Sequence, residues 1–325
     1  MSGKHLLEKN LLEFYGNEQA VLDINAENLI QIRPEIDKFV AMLNDPARRS
    51  DVTSESRSIQ TPDGTVRVLV FKPQGSRSDR PAILHIHSGG FVAGTPEPAA
   101  GLCHTFAHEL DCVVVSVDYR LAPEHPFPAG LEDCYAALKW LHASAGELGV
   151  DPARIAITGE SGGGGLAAQL AFLVRDRGEV PIVLQLLTYP MLDNRTGLGL
   201  NPGPNAGEFT WPKDSNLFGW QSYLGDNERF QAETPPYPAV PTRIGNLAGL
   251  APAVIGVGDL DLLARESLLY ATQLVEAGVP VELHLYRGAT HGFDVAFGTP
   301  LADAYNAARI QAFRRAFEDA GTAAR

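Results

Sequence analysis

The segment Gly159-Glu160-Ser161-Gly162-Gly163 sets one hydroxyl in the pattern G-x-S-x-G. In that pattern the serine occupies a tight strand-to-helix turn, and small neighbours let the backbone make the turn without collision. A serine hydroxyl is a weak nucleophile. Acyl chemistry at Ser161 therefore needs a base to take its proton, a carboxylate to orient that base, and donors for the developing oxyanion. His291, in "YRGATHGFD", and Asp261, in "GVGDLDLLARES", are residues of the required types. Asp259 stands two residues before Asp261 and competes for the orienting role. The stretch "HIHSGGFVAG" adds Gly89 and Gly90, where the absence of a side chain would let backbone N–H groups approach a substrate oxygen.

The same glycine run admits other readings. A phosphate loop fails on chemistry, because no Gly-Lys-Ser/Thr follows and no lysine is available for the phosphates. Gly163-Gly164-Gly165-Leu166-Ala167-Ala168 satisfies the dinucleotide pattern G-x-G-x-x-A. It comes late in the sheet, however, and the ribose-binding acid expected roughly 20 residues on would fall inside the next apolar strand. His104 and His108, beside Cys103, have helical spacing but lack the following glutamate and a third ligand. They predict a surface helix face, and no metal is expected. His85 and His87 share one face of a strand and read as satisfied polar groups supporting the loop beyond them.

The elements that must position these residues alternate. Short apolar runs "AILHIH", "CVVVSVDY", "RIAITG", "VPIVLQLLTYP", "PAVIGVGD" and "VELHLYRG" are separated by stretches of helical periodicity. Strands apolar on both faces between helices predict a mostly parallel sheet covered on both sides, the α/β class, with right-handed crossovers. Ser161, Asp261 and His291 then each follow a strand at its carboxyl end, where ligands of open α/β sheets gather. "TVRVLVFKP" alternates with period two and predicts an antiparallel strand near an edge. Leu29, Ile32, Ile36, Phe39, Val40 and Leu43 recur at helical spacing ahead of Asp45-Pro46. Residues 1–50 are therefore expected to be a helical arm. The Gly-, Pro- and Asn-rich stretch 194–250 is expected to be an insertion over a site, dividing the core into 51–193 and 251–325.

Composition narrows the function class. A chain of 325 residues that is 45% hydrophobic can bury a large core. A formal net charge of −13 argues against nucleic-acid or anionic-membrane partners, which are bound mainly through Lys and Arg. Three cysteines, Cys103, Cys112 and Cys134, do not make a disulfide framework and fit a reducing cytoplasm. Charged residues break every short apolar run at the start of the chain, so no signal peptide or membrane span is expected there.

Taken together, "HSGGF", "VDYRLAPEHPFPAGLEDCYAAL", "GESGGG", "DLDLLARES" and "THGF" resemble, in order and spacing, the hormone-sensitive-lipase-like (family IV) esterases of the α/β-hydrolase superfamily. The chain order Ser161, Asp261, His291 is also that of an α/β-hydrolase. The resemblance implies an α/β-hydrolase core with a mainly helical cap. It implies a cofactor-free and metal-free hydrolase of acyl esters, a small-molecule ester as partner, and homodimers as a common state. It assigns Ser161 as nucleophile, Asp261 as orienting acid and His291 as base. It assigns Gly89, Gly90 and Gly162 as oxyanion donors, and it gives "DYRLAPEHPFPA" a bracing role. Ser88 stands where the family usually has glycine, and Gly162 and Gly165 where alanine and asparagine are commoner. Ser88, Phe91, Glu160, Phe209 and Trp211 are expected near the substrate pocket. An amidase, an esterase for a bulky natural product or xenobiotic, and a non-catalytic small-molecule receptor on the same fold are the alternatives.

Overall fold

The computed structural model describes residues 3–15, 21–44 and 50–323; Asp45-Pro46, the expected helix stop, lies outside them. Eight strands form one sheet in the order β1-β2-β4-β3-β5-β6-β7-β8. They span β1 Val52–Thr61, β2 Gly64–Pro73, β3 Arg80–Ile86, β4 Val113–Asp118, β5 Val150–Glu160, β6 Leu184–Thr188, β7 Ala253–Gly258 and β8 Val281–Tyr286. β1–β2 and β2–β4 pair antiparallel; every other pair is parallel. The helices are α1 Lys9–Tyr15, α2 Leu29–Asn44, α3 Ala100–Leu110, α4 Ala129–Ala143, α5 Ala145–Leu148, α6 Gly162–Arg177, α7 Lys213–Leu224, α8 Asn227–Gln231, α9 Ala264–Glu276 and α10 Pro300–Ala323.

Continuous apolar strands arise because successive residues enter different cores. Ile83, Val114, Ala156, Leu186 and Val254 pack under α3 and α10 with Phe106 and Phe313. Their neighbours Leu84, Val115, Ile157, Leu187 and Ile255 belong to the larger core that includes Leu138, Leu170 and Leu274 of α4, α6 and α9. The α/β class read from the sequence is what the chain adopts.

Some expectations needed correction. β2 is antiparallel and near the edge as expected, but the edge strand itself is β1, formed by the polar "VTSESRSIQT" segment. The arm is broken into α1 and α2 by a non-helical stretch at 21–28. His104 is 6% exposed and meets Phe71 edge-on at 5.2 Å, so it is a core residue and not part of a surface face. His108 is exposed, with Asp51 as partner at 2.7 Å.

The arm and the 194–250 stretch meet. Leu22 N donates to Thr210 O (2.7 Å), Ile24 N donates to Ser215 Oγ (2.9 Å), and Gly3 N donates to Glu208 Oε2 (2.7 Å). Arg33 of α2 fastens the arm to the core: Nε donates to Val92 O (2.7 Å), Nη2 to Ala122 O (3.0 Å), and both terminal nitrogens reach Glu124 at 2.7 Å. Among the described residues no helix is long and apolar enough to cross a membrane, and the three cysteines are buried thiols.

Candidate active site

Parallel pairing brings the ends of β3, β5, β7 and β8 to one edge of the sheet, and each delivers one part of the site. After β5 the chain turns at Ser161 with φ 57° and ψ −119°, a conformation sparsely populated by residues with a side chain. Three bonds hold it there: Ser161 N donates to Thr188 O (2.9 Å), while Met191 N (3.0 Å) and Gly165 N (2.9 Å) donate to Ser161 O. The turn then enters α6 through four glycines, of which Gly162, Gly163 and Gly165 have no room for a side chain and Gly164 is tightly packed. A Cβ on Gly163 would lie 2.1 Å from Ile86 O, and one on Gly165 2.3 Å from Met191 O. Close helix packing therefore accounts for Gly165.

His291 Nε2 lies 2.9 Å from Ser161 Oγ, and His291 Nδ1 lies 2.9 Å from Asp261 Oδ2. Asp261 is 1% exposed, and its other oxygen accepts from Leu263 N at 2.9 Å. Asp259 is exposed and accepts from Gly288 N at 2.7 Å, on the outer side of the turn that carries the histidine. Geometry thus brings together Ser161, His291 and Asp261 and leaves Asp259 out.

The loop after β3 has positive φ at Gly89 (127°), Gly90 (61°) and Phe91 (70°). Val92 N and Ala93 N donate to Gly89 O at 3.1 and 2.9 Å, closing the loop on itself. It abuts the serine turn: a Cβ on Gly162 would sit 2.7 Å from Phe91 N and 2.9 Å from Gly90 N. The "DYRLAPEHPFPA" segment braces this loop. Tyr119 stacks on His87 at 4.2 Å and its hydroxyl donates to His87 O (3.0 Å), while Ala122 N donates to Phe91 O (3.0 Å).

Ser161, His291, Ser88, Gly89, Gly90 and Trp211 line a partly open pocket, together with apolar residues of the arm such as Leu22, Ile24 and Phe39. Phe91 and Phe209 are not among its lining residues. Phe91 stacks on Tyr223 at 4.2 Å and packs edge-on against Trp220. Phe209 is buried. Glu160 points to the other side of the turn, into a buried polar group that sequence reasoning missed. It meets His85 Nε2 at 3.0 Å and lies 3.8 Å from Arg309 of α10. Arg309 also bonds Asp294 (3.2 Å), which accepts from the Tyr189 hydroxyl (2.6 Å). Burial would raise the Glu160 carboxyl, but His85 and Arg309 outweigh it and hold the group below the usual carboxylate range. Tyr189 in turn packs on the His291 ring at 4.4 Å. Among the described residues no cluster of three or more His, Cys, Asp or Glu could hold a metal ion.

Residues 83–295 match the family model described as the alpha/beta hydrolase fold. Esterase LipI of Mycobacterium tuberculosis is 38% identical over 239 residues, 73% of each chain. Carboxylesterase NlhH of the same species is 36% identical over 265 residues, 77% of this chain and 78% of that one. The solved structure of a bacterial heroin esterase superposes with a TM-score of 0.89 at 33% identity, covering 97% of this chain and 99% of the other. Likeness of this extent makes the chain a member of the α/β-hydrolase family and, within it, of the hormone-sensitive-lipase-like esterases.

Proposed function

We propose that this ester hydrolase is a serine carboxylesterase that cleaves short- to medium-chain acyl esters through an acyl-enzyme on Ser161. The observation that carries the reading is the unbroken series Asp261 Oδ2, His291 Nδ1, His291 Nε2, Ser161 Oγ, its two hydrogen bonds both 2.9 Å. Asp261 accepts the Nδ1 proton, which leaves the Nε2 lone pair facing the serine hydroxyl. His291 takes that proton as Ser161 Oγ attacks the ester carbonyl. The N–H groups of Gly89, Gly90 and Gly162 receive the oxyanion, each contributing roughly 3 kcal/mol to the lowered barrier. His291 returns the proton to the departing alcohol, then activates the water that releases the acid. The arm and residues 194–250 serve as the cap over the pocket, and their apolar lining suits an aliphatic chain.

The test is a series of p-nitrophenyl esters of increasing acyl length, with Ser161→Ala as control. The wild type should favour short and medium chains, and the variant should lose on the order of 10⁶ in kcat. Full turnover by the variant would refute the mechanism.

A further inference from the structure

Beside the catalytic pocket lies a second, partly open cavity, lined among others by Asp37, His87, Ser88, Glu160, Tyr189 and Asp294. Ser88 and Tyr189 line both cavities, so the two adjoin at the loop after β3. The pocket proper is apolar apart from its catalytic end. Three of the side chains that line the second chamber each carry one atom buried without a hydrogen-bond partner: Asp37 Oδ1, His87 Nε2 and Glu160 Oε1. His87 is 2% exposed and Glu160 6%. A buried polar atom without a partner is costly, and a set of them around one cavity calls for an occupant.

The three atoms agree in kind. His87 Nδ1 lies 2.8 Å from Ser88 O, a carbonyl that can only accept, so the proton sits on Nδ1 and Nε2 is a lone pair. Burial pushes the His87 pKa down to about 4, so the ring stays neutral in ordinary buffers. Asp37 Oδ2 already accepts from Thr95 Oγ at 3.1 Å, leaving Oδ1. Glu160 Oε2 meets His85, leaving Oε1, which Arg309 approaches only to 3.8 Å. Asp294 is occupied by Tyr189 and Arg309. The chamber therefore offers unmet acceptors, and Ser88, which lines both cavities, carries a hydroxyl able to give or accept a hydrogen bond.

We propose that this chamber is a substrate subsite, and that the favoured esters carry a hydrogen-bond donor, a hydroxyl or a protonated amine, that reaches Asp37, His87 and Glu160 while the carbonyl sits at Ser161. This rests on the reading of Ser161 as nucleophile. It gives the serine in the family's usual glycine position a task at the junction of an apolar and an acceptor-rich chamber.

The test compares kcat/KM, by pH-stat, within three isosteric pairs. These are ethyl 4-hydroxybutyrate against ethyl pentanoate, 2-hydroxyethyl butyrate against propyl butyrate, and 2-(dimethylamino)ethyl butyrate against 3-methylbutyl butyrate. At least one donor-bearing ester should exceed its alkyl isostere by about tenfold. Preference in the third pair alone identifies the ammonium as the recognised group, and preference in the first or second the hydroxyl, with the side of the ester that bears it. Asp37→Leu and His87→Phe should draw that ratio toward one; because the ratio is taken within each variant, a general loss of activity does not mimic the effect. Asp37→Asn, which keeps a carbonyl acceptor, should retain a hydroxyl preference and weaken an ammonium preference. Ratios at or below one in all three pairs overturn the proposal, since water alone then meets the acceptors. A ratio unmoved in both Asp37→Leu and His87→Phe overturns it as well, whereas the wild-type ratio needs no variant to fold. Alkyl esters hydrolysed without donor preference refute the subsite only, while turnover unaffected by Ser161→Ala refutes the serine mechanism.

Discussion

Replacing Asp261 by Asn separates the two candidate orienting acids, and the structure fixes what the amide must do. One Asp261 oxygen faces His291 Nδ1 at 2.9 Å and the other accepts from Leu263 N at 2.9 Å. In Asp261→Asn the Leu263 N–H can be satisfied only by the amide oxygen, so the NH₂ group is turned toward His291. Nδ1 must then accept, the proton moves to Nε2, and the nitrogen facing Ser161 is no longer a base. A wrong tautomer in an otherwise intact triad costs on the order of 10⁴ in kcat, about 5 kcal/mol of barrier. Asp259→Asn keeps an oxygen for Gly288 N at an exposed site, so kcat should stay within about twofold and stability within about 1 kcal/mol. Steady-state hydrolysis of p-nitrophenyl butyrate by active-site-titrated protein decides between them. An Asp261→Asn enzyme retaining more than roughly a tenth of wild-type kcat, or a larger loss in Asp259→Asn, would refute the assignment.

Gly162→Ala should cost roughly tenfold to a hundredfold in kcat, because its Cβ would displace the loop atoms 2.7 and 2.9 Å away; unchanged kcat would show that the loop yields freely. Arg309→Met leaves Asp294 as a buried carboxylate without its cation and Glu160 with His85 alone, so urea denaturation should reveal about 3–5 kcal/mol less stability. Hydrogen bonding from Arg33 outweighs burial and pulls the Glu124 pKa down to about 2. Because the folded value lies below the unfolded one, this anchor is at full strength above the ordinary carboxylate range, weakens below it and is gone once the pH drops past about 2. Limited proteolysis with pepsin should accordingly release the arm more readily at pH 2 than at pH 4.5 in the wild type, and equally at both in Glu124→Gln.

What the sequence made legible followed from periodicity. Six apolar runs and the helices between them define the parallel sheet, and the order of strand ends is enough to set Ser161, His291 and Asp261 or Asp259 along one edge. The choice between the two aspartates was not legible from the residues alone. It depends on a rotation of the turn after β7 that buries one carboxylate and exposes the other. β1 was invisible because an edge strand facing solvent has no apolar signal, and only its pairing with the alternating β2 defines it. Arg309, Asp294 and Tyr189 were equally hidden. They converge beside Glu160 through the docking of α10 and of the loops after β6 and β8, long-range contacts that no local spacing encodes. His87 looked like a satisfied strand histidine, and only the tautomer imposed by Ser88 O reveals its spare lone pair.

The Arg33 fastening ties two jobs to one side chain. Its guanidinium grips Val92 O and Ala122 O, on either side of the bond by which Phe91 O is held, and so clamps the loop bearing Gly89 and Gly90. An arm that lifted to admit a molecule would have to surrender those bonds first, loosening the glycine loop at the same moment. Removing Arg33 would therefore be felt in the glycine loop as well as in the arm, since the same guanidinium holds both.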